Sequence, residues 1–238
     1  MVIHELTRLA QLDAYMQQLP GNALILWDFN YVLFAPAAAF FRPLSWAVRK
    51  EALNRRIGPT ADPEAFWQLY CRLSLAQELA PVEPETVSYV QQLLIVGQHR
   101  MVLLSYLPAG ALGGLVERQR CDTLERAQLH FDERLFASPP STKADILGPL
   151  ISQKHPAHVL FVDDSPENVW DVGTLVAALG VPFTGIVYRE QSMYGEPPIS
   201  LSHAEIQLAH FDTYTIWLPD VQVKREHLCA CDYCKFLE

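Results

Sequence analysis

The chain has little positive charge and no long apolar run. Of its 238 residues, 18 are Lys or Arg and 27 are Asp or Glu, so the formal net charge is −9. Such a surface repels a polyphosphate backbone, which disfavours nucleic-acid binding. No run approaches the roughly 18–20 apolar residues of a membrane span, and charged residues interrupt the N-terminal stretch where a signal peptide would be apolar. We therefore expect no transmembrane segment, and a location in the cytoplasm or export by a signal-peptide-independent route.

A regular pairing of cysteines is also missing, which favours a reducing compartment over a disulfide framework. The five cysteines are Cys71, Cys121, Cys229, Cys231 and Cys234. The last three lie with His227 in the segment 221–238 and offer four soft ligands that would suit zinc. A second group of ligands, which structural zinc sites usually have, is not visible nearby. A zinc site and a free, reduced tail both remain open.

The apolar residues are grouped as in an α/β protein. Hydrophobic residues make up 50% of the chain and charged residues 19%, which argues against a disordered chain. Short apolar runs predict buried strands at 23–27, 101–104, 159–162 and 183–188. Helical patterns fall at 6–19, 110–128, 143–154 and 202–214. Another helix is predicted after Asp163–Asp164, ending at about residue 179, and several more are predicted within 37–97. This alternation predicts right-handed βαβ units and a doubly wound parallel sheet.

Polar residues follow three of these strands directly. Asp28, Ser105 and the pair Asp163–Asp164 each come at a carboxyl end, where α/β sheets bind ligands. Ser141 or Thr142 is expected to cap the helix that begins at Lys143.

Carboxylates that share one sheet edge repel each other unless a divalent cation lies between them, and oxygen ligands suit Mg²⁺. A carboxylate beside Mg²⁺ can attack phosphorus, while a hydroxyl and an ammonium group hold the phosphoryl oxygens.

The order of these residues resembles that of the haloacid dehalogenase (HAD-like) superfamily. The segment from Leu160 to Val169, LFVDDSPENV, carries the strongest likeness. The stretches on to 185–188 and over 205–220 resemble an uncharacterised HAD-like group, a domain of unknown function found in intracellular bacteria. The likeness extends over about residues 5–220 and implies an α/β fold with a helical cap inserted after the first strand.

The resemblance implies a magnesium site and a nucleophile. Asp28 would be both the nucleophile and a metal ligand, and Asn30 would bind Mg²⁺ through its backbone carbonyl. Asp164 would be the third protein ligand, and Asp163 would help directly or through water.

It also implies how a phosphorylated substrate would be held. Ser105 would hydrogen-bond the phosphoryl group, and Lys143 would pair with Asp28 and the phosphate. Phe40 and Phe41, which follow the nucleophile, are the aromatic residues expected to touch substrate.

The implied domains are a core of residues 1–36 and 98–220, a cap of residues 37–97 and a Cys-rich tail of residues 221–238. The cap or the tail would be the surface for any protein partner.

One position departs from the pattern of the superfamily. HAD-like phosphatases usually carry a second Asp two residues after the nucleophile, which protonates the leaving oxygen, but Asn30 occupies that position here. Val32 likewise replaces the usual Thr. An amide has no usable proton equilibrium near neutral pH, so general acid–base help, typically about 10²–10⁴-fold, would be missing.

Asn30 is either a natural loss or an introduced Asp→Asn exchange, and three functions stay open. The first is a Mg²⁺-dependent phosphohydrolase impaired at Asn30. The second is a binding protein or secreted bacterial effector that keeps the fold without catalysis. The third is cleavage of a carbon–halogen bond, which needs no metal and is disfavoured by the paired Asp163 and Asp164.

Overall fold

The computed structural model describes residues 1–58, 63–108, 111–226, 228–229 and 231–236. The strands are β1 (Val2–Leu6), β2 (Ala23–Trp27), β3 (Phe34–Pro36), β4 (Leu79–Pro81), β5 (Arg100–Tyr106), β6 (Glu133–Ala137), β7 (His158–Asp163) and β8 (Phe183–Tyr188). The α-helices are α1 (Asp13–Met16), α2 (Trp46–Ile57), α3 (Pro63–Leu75), α4 (Thr86–Val96), α5 (Ala111–Arg126), α6 (Lys143–Lys154), α7 (Pro166–Ala178), α8 (Gln191–Gly195), α9 (Leu201–Tyr214), α10 (Asp220–Arg225) and α11 (Asp232–Phe236). Short 3₁₀ turns occupy Leu9–Leu12, Ala39–Phe41 and Pro43–Ser45.

A six-stranded parallel sheet forms the centre of the fold, in the order β1-β8-β7-β2-β5-β6. Helices flank it, which confirms the predicted doubly wound α/β class. The four predicted strands are present as β2, β5, β7 and β8, with β1 and β6 at the edges. A separate two-stranded sheet pairs β3 with β4.

The central strands read as continuous apolar runs because both of their faces are covered. All five residues of β2 are buried, and this strand lies between β5 and β7. Leu26 is level with Val102 on one side and with Phe161 on the other. The core around Leu26 and Phe161 extends to α6 and α7 through Leu147 and Val172.

The N-terminal segment differs from the prediction of a helix over residues 6–19. Val2–Leu6 is a strand, with Leu6 level with Tyr188 of β8. Leu9 and Leu12 are buried through a 3₁₀ turn, and only Asp13–Met16 is α-helical. The helical spacing of the leucines was therefore misleading, because backbone pairing with β8 extends the sheet at this edge.

The chain divides into two compact units. The first comprises residues 1–35 and 81–191, and the second comprises residues 36–80 and 192–238. This division differs from the predicted boundaries in that α4 belongs with the sheet and α9 belongs with the helical segment. In the first unit, Gln91 of α4 donates a hydrogen bond to the carbonyl of Ala127. In the second unit, α9 packs against α2. That residues 37–97 cap a site stays a prediction.

The second unit has an aromatic core of its own. The ring centroids of Phe40 and Trp217 are 5.0 Å apart, and those of Phe40 and Phe41 are 5.1 Å apart. The buried Arg49 guanidinium donates to the carbonyl oxygen of Phe40 at 2.8 Å and lies 4.9 Å from the ring centroid of Trp46.

None of the described helices combines the length and the apolar character that crossing a bilayer would require. The expectation of no membrane-spanning segment agrees with this finding.

Close packing of α7 on β8 requires a glycine at position 185. A Cβ atom there would meet Cγ1 of Val169 and would lie 2.9 Å from Cε1 of Phe183. Both neighbours are buried, and the β-branched Val169 has little freedom to turn away. We therefore expect Gly185→Ala to lower the free energy of unfolding by about 1–3 kcal/mol in a urea titration.

Gly114→Ala is the matched control. Gly114 lies within α5 and its added Cβ would meet no atom within 4 Å. This exchange should raise stability by roughly 0.5–1 kcal/mol, because alanine is the better helix former. Equal effects of the two exchanges would contradict the packing described for α7 and β8.

Candidate functional site

The register of the sheet places Asp28 beside Asp163. Trp27, the last residue of β2, is level with Val162 of β7, and the backbone N–H of Asp28 donates to the carbonyl of Val162 at 2.9 Å. Asp163 is the last residue of β7. On the other side of β2, Ser105 lies near the carboxyl end of β5. The expected meeting of these side chains at one edge of the sheet is thus present.

Lys143 joins the two aspartates. Its Nζ is 2.7 Å from Oδ1 of Asp28 and 2.6 Å from Oδ2 of Asp163, and all three side chains are buried. Lys143 is the first residue of α6, and Thr142 caps that helix by accepting from the N–H of Asp145 at 3.2 Å. The Asp145 carboxylate accepts in turn from the N–H of Thr142 at 2.8 Å, which completes a capping box. The cap fixes the start of α6 and thereby the position of the ammonium group.

Ser105 forms a second contact with Asp28 and is itself held by Arg120. A guanidinium can only donate, so Arg120 donates to Oγ of Ser105 at 2.9 Å and Ser105 donates to Oδ1 of Asp28 at 3.0 Å. Arg120 also donates to the carbonyl of Tyr106 at 2.8 Å.

Sequence reasoning missed Arg120, although a signal was present. Val116, Arg120 and Leu124 are spaced by four residues on α5, and all three are buried. That spacing places the arginine on the apolar stripe of the helix, where a charged side chain needs a polar partner.

The carboxylate of Asp163 is held in one orientation by its neighbours. Its Oδ1 accepts from the backbone N–H of Ser165 at 2.8 Å, and Nδ2 of Asn168 lies 3.1 and 3.2 Å from its two oxygens. Ser165 caps α7 by accepting from the N–H of Asn168. Asn168 therefore braces the turn after β7.

Asp164 completes a cluster of three carboxylates. Oxygen atoms of Asp28, Asp163 and Asp164 all lie within 4.8 Å of one another, and Asp164 is partly exposed. Asp163 has its oxygens engaged by Lys143, Ser165 and Asn168, so Asp164 is the member whose carboxylate is better placed to bind a ligand from solvent.

The local electrostatics reflect this crowding of negative charge. Burial raises the pKa of Asp163 to about 6, against the opposing effect of Lys143. Burial and the charges of Asp163 and Asp28 raise the pKa of Asp164 well above its ordinary value. Burial alone would lower the pKa of Lys143, but the charges of Asp163 and Asp28 outweigh it and raise that pKa.

The donor set fits a hard divalent cation. Three carboxylates face one ammonium group, so negative charge is in excess among these four side chains. Oxygen ligands with a partly exposed member suit Mg²⁺, which usually keeps several waters. Asp28 and Asp164 are the residues that would hold it, with Asp163 supporting through its fixed orientation. That Mg²⁺ binds here stays a prediction.

Asn30 lies in a tight turn that follows Asp28. Tyr31, the next residue, has a left-handed φ of 57°, and its N–H donates to the carbonyl of Phe34 at 2.9 Å. Leu33 and Phe34 both donate to the carbonyl of Phe29, at 3.1 and 3.0 Å. Asn30 is partly buried. Asn30 thus follows Asp28 by two residues, at the start of this turn. That its carbonyl oxygen binds a metal ion stays a prediction.

Phe40 and Phe41 belong to the second unit of the chain. Both rings are fully buried in the core of the second unit, where they pack with Trp217. Neither side chain is exposed, and their contact with a substrate stays a prediction. The sequence could not distinguish a substrate platform from an aromatic core.

Comparison with known protein families gives one match. The family model described as a protein of unknown function (DUF2608) matches residues 141–223, about a third of the chain. The matched range contains Lys143, Asp163 and Asp164 but not Asp28, Asn30 or Ser105. A search of curated proteins finds no match.

Removal of the Lys143 ammonium tests its role in holding the aspartates. Lys143→Met leaves two buried carboxylates without their shared partner, and we expect a loss of about 3–5 kcal/mol in unfolding free energy in metal-free buffer. Urea denaturation followed by tryptophan fluorescence measures it.

Lys154→Met is the control on the same helix. Lys154 pairs at 3.5 Å with Glu133 and is partly exposed, so its loss should cost less than about 1 kcal/mol. If Lys143→Met cost no more than Lys154→Met, the ammonium would not be what holds the aspartates together.

Proposed function

We propose that the protein is a Mg²⁺-dependent phosphohydrolase of the HAD type that acts through an aspartyl-phosphate at Asp28 and is impaired by Asn30. The observation that supports it is the buried carboxylate of Asp28, which contacts both Lys143 and Ser105 and lies beside Asp164. This is an arrangement of nucleophile, cation and hydroxyl that phosphoryl transfer requires.

Asp28 is oriented for attack by its two contacts. Lys143 and Ser105 both bind Oδ1, so Oδ2 is the oxygen that would act as the nucleophile. In the first step a bond forms between Oδ2 and phosphorus, the ester P–O bond breaks, and the leaving oxygen takes the electron pair. In the second step water attacks phosphorus, the bond to Asp28 breaks, and inorganic phosphate leaves.

The ammonium and the hydroxyl stabilise charge on the transferred group. Lys143 is fully charged at neutral pH because the neighbouring aspartates raise its pKa. Ser105 can turn its O–H from Asp28 towards a phosphoryl oxygen, and Arg120 keeps the hydroxyl oxygen in place throughout. Bound Mg²⁺ would supply neutralisation of negative charge on the phosphoryl oxygens.

Asn30 limits both steps of this reaction. An amide can neither protonate the leaving oxygen nor accept a proton from the attacking water, so esters with poor leaving groups would react slowly. A phosphorylated substrate with an acidic leaving group, such as an aryl phosphate, depends less on protonation of the leaving oxygen and should react faster.

A binding protein that has lost catalysis is the alternative, and Asn30 is the observation that favours it. In that case the cluster would hold Mg²⁺ and a phosphorylated ligand without turnover. Turnover with an aryl phosphate separates the two functions.

Restoring an acid at position 30 is the direct test of catalysis. Asn30→Asp supplies the missing general acid–base, and we expect kcat for an aryl phosphate in Mg²⁺ to rise by about 10²–10⁴-fold. The release of aryl alcohol, followed by absorbance under steady-state conditions, measures it.

Two controls accompany this exchange. Asn54→Asp, at an exposed position of α2, adds the same charge elsewhere and should change nothing. Asp28→Asn combined with Asn30→Asp should abolish the gain. Unchanged turnover in Asn30→Asp under saturating Mg²⁺ would reject the impaired phosphohydrolase in favour of the binding protein.

Thermal stability tests metal binding separately from catalysis. At a Mg²⁺ concentration ten times the dissociation constant, linkage adds about 1.4 kcal/mol, or a rise in Tm of roughly 3–6 °C. Asp164→Asn should remove most of this rise without unfolding the metal-free protein, because it relieves repulsion within the cluster.

Asp171→Asn, an exposed carboxylate on α7, should retain the full Mg²⁺ effect. A Tm that rises equally in the wild type and in Asp164→Asn would place the cation outside the carboxylate cluster.

A further inference from the structure

The second unit gathers three cysteines around a buried histidine. Nδ1 of His203, on α9, is 3.3 Å from Sγ of Cys234 and 3.9 Å from Sγ of Cys231. The sulfur atoms of Cys231 and Cys234 are 3.7 Å apart. Cys229 brings a third sulfur, and one ligand atom from each residue lies within 4.8 Å of the other three.

These separations match the edges of a zinc tetrahedron. With Zn–S about 2.3 Å and Zn–N about 2.0–2.1 Å, tetrahedral angles give S···S edges of about 3.8 Å and S···N edges of about 3.6 Å. The measured 3.7, 3.3 and 3.9 Å lie within about 0.3 Å of those values. None of the five cysteines is in a disulfide, whose sulfur atoms would be only about 2.05 Å apart.

His203 is held with its free nitrogen towards the sulfurs. Nε2 is 3.0 Å from Oδ1 of Asp220, and an ionised carboxylate only accepts, so Nε2 carries the proton and Nδ1 presents its lone pair to the cysteines. Asp220 is fixed in turn by Gln207, which donates at 2.7 Å, and by the N–H of Ala39, which donates at 2.8 Å. A carboxylate behind a ligating imidazole is a recurrent arrangement at metal sites.

The histidine of this cluster comes from a helix well upstream of the cysteines. His227, which the sequence suggested, lies outside the described residues, and among the residues that the structure describes His203 is the histidine that meets the three cysteines. α9 thus supplies the second group of ligands that the sequence near the cysteines lacks. Without that group, the sequence alone could not decide between a zinc site and a free, reduced tail.

We propose that His203, Cys229, Cys231 and Cys234 bind one Zn²⁺ as a structural site of the second unit. On binding, the three thiols give up their protons to solvent and three Zn–S bonds form, while neutral His203 contributes the Nδ1 lone pair and keeps its Nε2 proton. Four protein ligands leave no position for substrate, which marks a structural rather than a catalytic site.

The elements of the site also meet in the apolar core, where Tyr233 of α11 packs in the same cluster as Ala204 and Leu208 of α9. Cys234 packs with Leu218 and Val223 in a small cluster, and α9 contributes Ile206 to its edge. Zinc would tie α9 to the segment that follows α10, and its binding energy would add directly to folding. Soft thiolates discriminate against Mg²⁺, so this site and the carboxylate cluster select different metals.

Metal analysis of the full chain tests the proposal. Protein produced with zinc in the medium and dialysed against metal-free buffer is expected to carry about one zinc per chain by inductively coupled plasma mass spectrometry. Cys231→Ser and His203→Ala should lose at least about 10-fold in bound zinc. The matched control is Cys121→Ser, a partly buried cysteine on α5 of the first unit, which should retain it.

A measurement on the wild type covers the case in which the variants fail to fold. Chelated, reduced protein titrated with Co²⁺ is expected to develop thiolate charge-transfer bands and tetrahedral d–d bands that saturate at one equivalent and disappear on addition of Zn²⁺. Four results would each overturn the proposal. They are a zinc content of the wild type no higher than that of Cys231→Ser, copper or iron in place of zinc, absence of the thiolate bands, and a Cys231–Cys234 disulfide in freshly purified protein.

Discussion

The candidate site depends on one buried ammonium group between two aspartates. Lys143 contacts Asp28 and Asp163 at hydrogen-bonding distance, and the three residues come from α6, the end of β2 and the end of β7. Without a cation between them, two carboxylates at the ends of adjacent buried strands would repel each other in a medium that screens charge poorly. The ammonium thus holds together the helix and the two strands whose meeting forms the site.

The same contact explains why the remaining members of the cluster differ in character. Asp163 accepts several hydrogen bonds and acts as a brace, whereas Asp164 is partly exposed and adds a third carboxyl group to a cluster that contains one ammonium group. A divalent cation at Asp28 and Asp164 would remove that imbalance, and Lys143 and Ser105 would then be available to an incoming phosphoryl group. The proposed chemistry therefore follows from the excess of carboxylates over cations, and Asn30 sets its limit.

Much of the sheet and most residues of the candidate site could be predicted from the sequence. Buried parallel strands appear in it as short apolar runs, and the polar residues that follow them lie at the edge of the sheet where ligands bind. Asp28, Ser105 and Asp163 were predicted in this way. Lys143 was predicted as the first residue of a helix that Thr142 caps. Features that depend on distant parts of the chain were not visible. β1 was not predicted, because its partner β8 is some 180 residues away along the chain. His203 was not predicted as a ligand, because nothing in the sequence near the cysteines indicates a histidine on another helix. For Phe40 and Phe41, the sequence does not distinguish residues of an aromatic core from residues that contact a substrate.

The central claim is that the carboxylates of Asp28 and Asp164 enclose one hard divalent cation, and Mn²⁺ in place of Mg²⁺ makes that directly observable. Crystals soaked in Mn²⁺ and measured above the manganese absorption edge would locate the ion by its anomalous scattering. We expect one strong peak within about 2.0–2.3 Å of a carboxylate oxygen of each aspartate. A fully soaked crystal with no peak between them, or with Mn²⁺ bound only elsewhere on the chain, would contradict it.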